Sequence, residues 1–180
     1  FLRLTGCNMR CEQEAGPKSP GGFDCDTEFV SGRRLQLTEV LDEVDNTWEP
    51  KGKEHRAVIL TGGEPGLQAD QSLVDGLHDR GYYVAIETNG SIDVSGLGLD
   101  WITVSPKVAE HAIRQETASE VKYVRGYGQA IPRPKCKGTH QLISPAFNGL
   151  TIDQKSLGWC IELVKENPAW RLAAQLHKLW

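Results

Sequence analysis

Three of the five cysteines of this chain, Cys7, Cys11 and Cys25, fall in the stretch from Phe1 to Phe29, FLRLTGCNMRCEQEAGPKSPGGFDCDTEF. Thiolates gathered on one loop are metal ligands. Structural zinc takes four protein ligands and catalytic zinc three, whereas iron–sulfur clusters are held almost entirely by cysteine. No fourth cysteine and no histidine lies inside the loop, and a cluster held by three cysteines leaves one iron open to another ligand. Two plainer readings compete. A disulfide needs an oxidising compartment, and no signal peptide is visible. Burial as small apolar thiols is a poor match for a loop that contains Gly16, Pro17, Pro20, Gly21 and Gly22. Cys160 lies in an amphipathic stretch and is expected to pack. Cys136, between Lys135 and Lys137, is expected to be a surface-loop thiol.

The elements that must carry this loop follow from hydrophobic spacing. Phe1–Leu4 reads as a short strand that stops at Gly6. Leu37, Val40, Leu41, Val44 and Trp48 have helical spacing, with Thr38 as the expected N-cap. Ala57–Leu60 is a continuous apolar run, suited to a parallel strand covered on both sides. Gln68–Arg80 is expected to be a helix ended by Gly81. Strands are expected at Tyr82–Ile86, Trp101–Val104, Glu120–Val124, His140–Ile143 and Arg171–Leu176. Pro132, Pro134 and Gly138 mark a long irregular loop, and Asp153–Glu166 is a helix stopped before Pro168. The alternation predicts an α/β fold of mostly parallel strands joined by right-handed crossovers. Helices are fewer than strands, so a full eight-fold barrel does not fit.

At 180 residues one domain is expected, spanning 1–180, with the cysteine loop at 6–29. The net charge of −4 implies no basic field for nucleic acid, and no stretch has the length of a membrane span. The absence of a secretory segment and the odd cysteine count suit a reducing cytoplasm. The chain begins inside a strand and stops after an apolar run, so flanking residues at both ends, and an open substrate pocket without them, are expected.

In parallel α/β folds ligands bind beyond the C-terminal ends of the strands. Four strand exits are polar or glycine-rich: the cysteine loop, Thr61-Gly62-Gly63-Glu64-Pro65, Glu87-Thr88-Asn89-Gly90 and Ser105-Pro106-Lys107. Each alone reads equally well as a tight turn; four on one rim facing a metal loop point to a ligand. Gly62 and Gly63 allow close backbone approach, Glu64 suits an ammonium group, and Ser105 and Lys107 suit a hydroxyl and a carboxylate. Arg3 is a charge inside an apolar strand. It is either on an exposed strand face or a partner for a carboxylate.

The CxxxC…C loop followed by TGGEP resembles the radical S-adenosylmethionine enzymes. More narrowly, FLRLTGCNMRC, CDTEF, TGGEPGLQ, ETNGS, WITVSPK and the ending RLAAQLHKLW resemble the 7-carboxy-7-deazaguanine synthase family over nearly the whole chain. One departure stands out. The third cysteine usually follows the second after two residues, whereas here thirteen residues, Glu12 to Asp24, intervene and read as an insertion.

The resemblance implies a partial TIM-like barrel. It implies a 4Fe–4S cluster on Cys7, Cys11 and Cys25, and S-adenosylmethionine at Gly62, Gly63, Glu64, Thr88, Ser105 and Lys107. It implies magnesium at Thr27, and a pterin substrate near Arg3, Asp26, Asn89, Gln175 and His177. The implied reaction converts 6-carboxy-5,6,7,8-tetrahydropterin to 7-carboxy-7-deazaguanine with loss of ammonia, a step toward queuosine and other deazapurines. A flavodoxin- or ferredoxin-type electron donor and a homodimer are further implications. The plainer reading of Asp26 and Thr27 is a capped turn, and His55, His78, His111 and His140 read as packed or solvated. Three other readings remain at this point: a glycyl-radical activase, a zinc-binding module without catalysis, and a homologue that keeps the fold as a binding protein.

Overall fold

The computed structural model describes residues 1–9, 30–48, 54–107, 109–148 and 151–174. Its elements, in chain order, are β1 (Leu2–Leu4), α1 (Leu37–Trp48), β2 (Ala57–Gly62), α2 (Gln71–Asp79), β3 (Tyr83–Thr88), β4 (Trp101–Val104), β5 (Thr117–Arg125) and β6 (Lys137–Pro145). A small hairpin of β7 (Phe147–Asn148) and β8 (Thr151–Ile152) follows, then α3 (Gln154–Glu166) and β9 (Trp170–Leu172). Seven strands form one sheet in the order β1-β2-β3-β4-β5-β6-β9, with every pair parallel. This is the expected partial barrel, with fewer helices than strands and with β1 and β9 at its two edges.

The three α-helices among the described residues lie on one face of the sheet. Side chains alternate along a strand, so Val58, Leu60, Val84 and Ile86 point to the same side, where they pack against Leu41 of α1 and Leu73 and Leu77 of α2. Val104, Val121, Tyr123 and Ile143 continue that layer toward Cys160 of α3. Leu60, Val84 and Ile86 are fully buried, and each such side chain contributes about 1.5–3 kcal/mol relative to exposure. Asp45 of α1 joins the helix to the sheet, accepting from Arg56 Nη1 at 3.2 Å, Arg80 Nη1 at 2.7 Å and the Tyr82 hydroxyl at 2.8 Å. The Tyr82 hydrogen bond, with the Arg80 and Arg56 charges, holds the Asp45 carboxyl below its ordinary value. Its contribution is therefore present above the usual carboxylate range and lost as the pH falls below it.

The structure corrects several expectations. Thr38 is not the N-cap of α1. The helix already begins at Leu37, Val40 N donates to Gln36 O at 3.0 Å, and Glu39 reaches back to accept the Gln36 N–H at 2.6 Å; that reach-back is one half of a capping box. The helix expected over Gln68–Arg80 is shorter, because Asp70 caps α2 by accepting from Leu73 N at 2.9 Å, and Pro65–Leu67 form a separate 3-10 turn. Gly138 belongs to β6 rather than to the preceding loop. The last strand starts at Trp170, and residues 175 and 176 of its expected span lie outside the described residues.

Cys136 is not at the surface. It is 1% exposed and packs with Tyr123, Ile143 and Trp170, because its neighbours Lys135 and Lys137 carry the exposure of that segment. Cys160 is fully buried, as expected, and lies 3.6 Å from Arg125 O. Burial pushes both thiols up to about 11. Since the thiolate is the nucleophile, both should react with iodoacetamide at neutral pH at least about tenfold more slowly in the folded chain than in denaturant. Peptide mapping checks this, and rapid labelling of native Cys136 would contradict its burial.

Candidate active site

The exit of β2 is built against the start of the cysteine loop. Gly63 N donates to Leu4 O at 3.1 Å and Glu64 N to Gly6 O at 2.9 Å, so the TGGEP turn extends the β1–β2 pairing beyond the strands. The approach is too close for side chains. Gly62 has φ +126°, a conformation that other residues rarely adopt, and a Cβ there would overlap Leu4 O. A Cβ on Gly63 would overlap Gly6 O and come within 3.0 Å of Cys7 Cβ. Gln68 Nε2 also bonds Thr5 O. Cys7 is half-buried, and its Sγ accepts the Met9 N–H at 3.4 Å.

Glu64 is completely buried. Its Oε1 accepts from Thr88 Oγ1 at 2.6 Å and from Gly66 N at 2.9 Å, and its Oε2 accepts from Asn89 N at 2.7 Å. Thr88 Oγ1 accepts from Gly90 N at 3.1 Å, which leaves its proton for Glu64. Glu64 and the backbone of its turn were expected to meet the S-adenosylmethionine amine; the carboxyl oxygens already have protein donors. Its carboxyl group ties the β2 exit to the β3 exit, while backbone atoms of the glycine turn remain half-exposed. Asn89 is likewise 6% exposed. Its Nδ2 donates to Asn8 Oδ1 at 3.1 Å and its Oδ1 accepts from Ser91 N at 2.8 Å, so each end of the carboxamide expected to meet substrate already has one protein partner. The β4 exit joins the same rim, with Ser105 N donating to Thr88 O at 2.8 Å; Ser105 and Lys107 are half-buried there.

Below this rim lies the sheet face that none of the described helices covers. Register places Arg3 beside Thr61, Glu87 beside Thr103, Thr103 beside Glu120 and Glu120 beside His140. Thr61 Oγ1 lies 3.4 Å from Glu87 Oε2, which closes a polar row across the sheet. Lys122 Nζ donates to Glu87 Oε1 at 3.3 Å, the two side chains being 24% and 40% exposed. Thr103 Oγ1 donates to Glu120 Oε1 at 3.1 Å, and His140 stacks on Trp101 at 5.8 Å. Arg3 is exposed on this face. Such a surface can hold a flat, polar, hydrogen-bonding molecule beneath the rim.

Of the expected site residues, Arg3, Cys7, Gly62, Gly63, Glu64, Thr88, Asn89, Ser105 and Lys107 fall at the C-terminal ends of β1 to β4. Cys11, Cys25, Asp26, Thr27, Gln175 and His177 lie outside the described residues. Among the described residues no group of three histidine, cysteine or acidic side chains could hold a metal ion. A cavity lined by Phe1, Leu2, Val44 and Trp48, with Glu43 and Thr47 beside them, lies at the opposite ends of the strands. The sequence reading placed Thr61 and Glu87 in the strand-exit motifs without a role of their own, and gave Lys122, Asn8 and Ser91 none. A signal existed for Thr61, Glu87 and Lys122: each is a polar residue in phase with the uncovered face of its strand.

No protein-family model matches the chain. The fold resembles the crystal structure of QueE from Escherichia coli, with a TM-score of 0.62 at 22% identity, over 96% of this chain and 83% of that one. The seven-stranded partial barrel of the described residues, with Cys7 after β1 and the TGGEP turn at the exit of β2, is the fold expected from the resemblance to the radical S-adenosylmethionine class. Among curated proteins, the 7-carboxy-7-deazaguanine synthase of Bradyrhizobium diazoefficiens is 35% identical, over 99% of this chain and 86% of its own length. That of Burkholderia multivorans is also 35% identical with the same coverage, and that of Caulobacter vibrioides is 33% identical. The chain belongs to the 7-carboxy-7-deazaguanine synthase family. Membership leaves the activase and zinc-module readings without support.

Two substitutions probe the rim. Gly63→Ala should destabilise the fold by about 1–3 kcal/mol through overpacking against Gly6, read as a lower midpoint in urea. Glu64→Ala strands the Thr88, Asn89 and Gly66 donors in a buried site, so it should cost at least about 2 kcal/mol of stability. An unchanged urea midpoint for Glu64→Ala would return the residue to ligand binding alone.

Proposed function

We propose that this chain converts 6-carboxy-5,6,7,8-tetrahydropterin to 7-carboxy-7-deazaguanine, releasing ammonia, as a single radical S-adenosylmethionine domain acting in the cytoplasm. The observation that carries the reading is the join between the cysteine loop and the TGGEP turn. Gly63 has no side chain where a Cβ would fill the space between Gly6 and Cys7, and the Cys7 sulfur receives a backbone N–H, as cluster-bound sulfurs do. Cys7 fits a cluster ligand, and Cys11 and Cys25 would complete the set.

A 4Fe–4S cluster with S-adenosylmethionine would supply a 5′-deoxyadenosyl radical able to take a hydrogen atom from C6 of the substrate. The protein's part is position and exclusion of water. Half-exposed backbone at Gly62 and Gly63, with Ser105 and Lys107, would receive the amino, carboxylate and hydroxyl groups of S-adenosylmethionine. Glu64 and Thr88 act one step back, by fixing that backbone. Arg3 would pair with the substrate carboxylate, a charge-assisted contact on an exposed guanidinium. Thr61, Glu87 and Lys122 supply donors and acceptors to a flat ring lying on the uncovered face. Asp26, Gln175 and His177 complete the substrate set in this reading. Thr27 would offer an oxygen to magnesium, which takes oxygen ligands and few protein groups, and the cation would help to hold the substrate carboxylate. A flavodoxin- or ferredoxin-type protein would deliver electrons, and the chain would act as a homodimer.

Anaerobic reconstitution tests the reading. The expected result is about four irons and four sulfides per chain, and 7-carboxy-7-deazaguanine formed from the carboxypterin only when reductant and S-adenosylmethionine are both present. Bound zinc, or a reconstituted cluster with no product, would overturn it. Chelation of magnesium should slow turnover, and Thr27→Ala should shift the magnesium dependence while cofactor affinity without substrate stays near that of the parent. Turnover indifferent to magnesium would return Asp26 and Thr27 to a capped turn.

A further inference from the structure

We propose that Asn8 is a positioning residue, whose carboxamide clamps the first cluster ligand, Cys7, to the β3 exit of the rim that receives S-adenosylmethionine; the inference rests on the reading above. The clamp is a closed ring of three side chains. Asn89 Oδ1 accepts the Ser91 backbone N–H at 2.8 Å, so its Nδ2 must face the other way. It donates there to Asn8 Oδ1 at 3.1 Å. That fixes the Asn8 amide in turn, and its Nδ2 donates to Ser91 Oγ at 2.8 Å. A backbone N–H thus determines the orientation of both amides, and each meets a partner of matching polarity.

The ring has one member on each side of the site. Asn8 follows Cys7 directly in the chain, whereas Asn89 and Ser91 belong to the turn after β3, more than eighty residues away in sequence. Asn89 N is also held by Glu64 Oε2 at 2.7 Å, so the clamp reaches the buried carboxyl group through one residue. Asn8 is itself exposed. An exposed side chain with both ends of its amide engaged contributes little burial, and its effect lies in where it holds the backbone of Cys7. The join at Gly6, through Glu64 N and Gly63 N, fixes the loop on the β2 side. Asn8 fixes it on the β3 side, so the Cys7 Cα is held between two strand exits. Three cysteines suffice to assemble a cluster. The distance from that cluster to the rim is a separate quantity, and Asn8 sets it.

The test uses reconstituted holoprotein of the parent, Asn8→Ala, Ser91→Ala and the double variant. Iron and sulfide content, S-adenosylmethionine affinity and the change in the reduced cluster's electron paramagnetic resonance on adding S-adenosylmethionine are measured for each. Asn8→Ala should keep the parent's iron and sulfide. It should bind S-adenosylmethionine about tenfold more weakly, as expected for the loss of one or two hydrogen bonds, and show a smaller spectral change. The double variant should be no weaker than Asn8→Ala alone, because the two residues act as one unit. Equal affinity of Asn8→Ala and the parent, or strictly additive losses, would overturn the clamp. Loss of iron in Asn8→Ala would also overturn it, by making Asn8 a residue of cluster assembly. A parent that itself holds no cluster or binds no S-adenosylmethionine would instead remove the proposed function, and the clamp with it.

Discussion

The Glu64 carboxyl group is buried among neutral donors, and the architecture of the rim depends on those donors being in place. A buried acidic side chain is costly unless its oxygens are bonded. Here a threonine hydroxyl and two backbone N–H groups serve, and they come from two different strand exits. The Gly66 amide shapes the turn after β2, while Thr88 and Asn89 bring the turn after β3 alongside. The cysteine loop then attaches to both: to the first through Gly6, and to the second through Asn8. Loss of the carboxyl group would leave several donors unpaired at once, which makes the rim a cooperative unit.

A rim of this kind can present ligand-binding backbone without using the buried side chain itself. The distinction matters for how motif residues are read. TGGEP suggests a ligand-binding glutamate because an acid in a glycine turn is chemically conspicuous. The structure shows the glycines made necessary by strand proximity and the glutamate turned inward. In the proposed reading a ligand would meet the turn's backbone, Ser105 and Lys107 above, and the row from Arg3 to His140 on the uncovered face. Placing the rigid layer behind and the ligand-facing groups in front is how a site holds a reactive species and its target in fixed register.

Much of this was legible in the sequence because the periods are strong. The apolar runs at Ala57–Leu60 and Trp101–Val104 placed strands correctly, and the spacing over Leu37–Trp48 placed a helix, though not its N-cap. The four strand exits were legible as a rim, since parallel topology forces them to one end. What was not legible depends on distance in the fold rather than on pattern. Nothing in the local sequence tells that Glu64 meets Thr88 and Asn89, and a ligand ammonium is as good a partner on paper. Cys136 sits between two lysines, yet packs under Tyr123 and Trp170 because the strand it leads into turns that side chain inward. Glu87 and Lys122 lie in different strands, and only the register of the sheet makes them a pair.

The most direct measurement of the account is native-state hydrogen exchange at the Asn89 and Gly66 amides in the protein without added S-adenosylmethionine. If the Glu64 carboxyl group organises the rim, both amides, though they sit in turns, should exchange as slowly as the amides of β2 and β3, opening only with global unfolding. Exchange at the rate of an unstructured loop, with protection appearing only once S-adenosylmethionine is bound, would contradict the account and make the ligand, rather than the fold, the organiser of the rim.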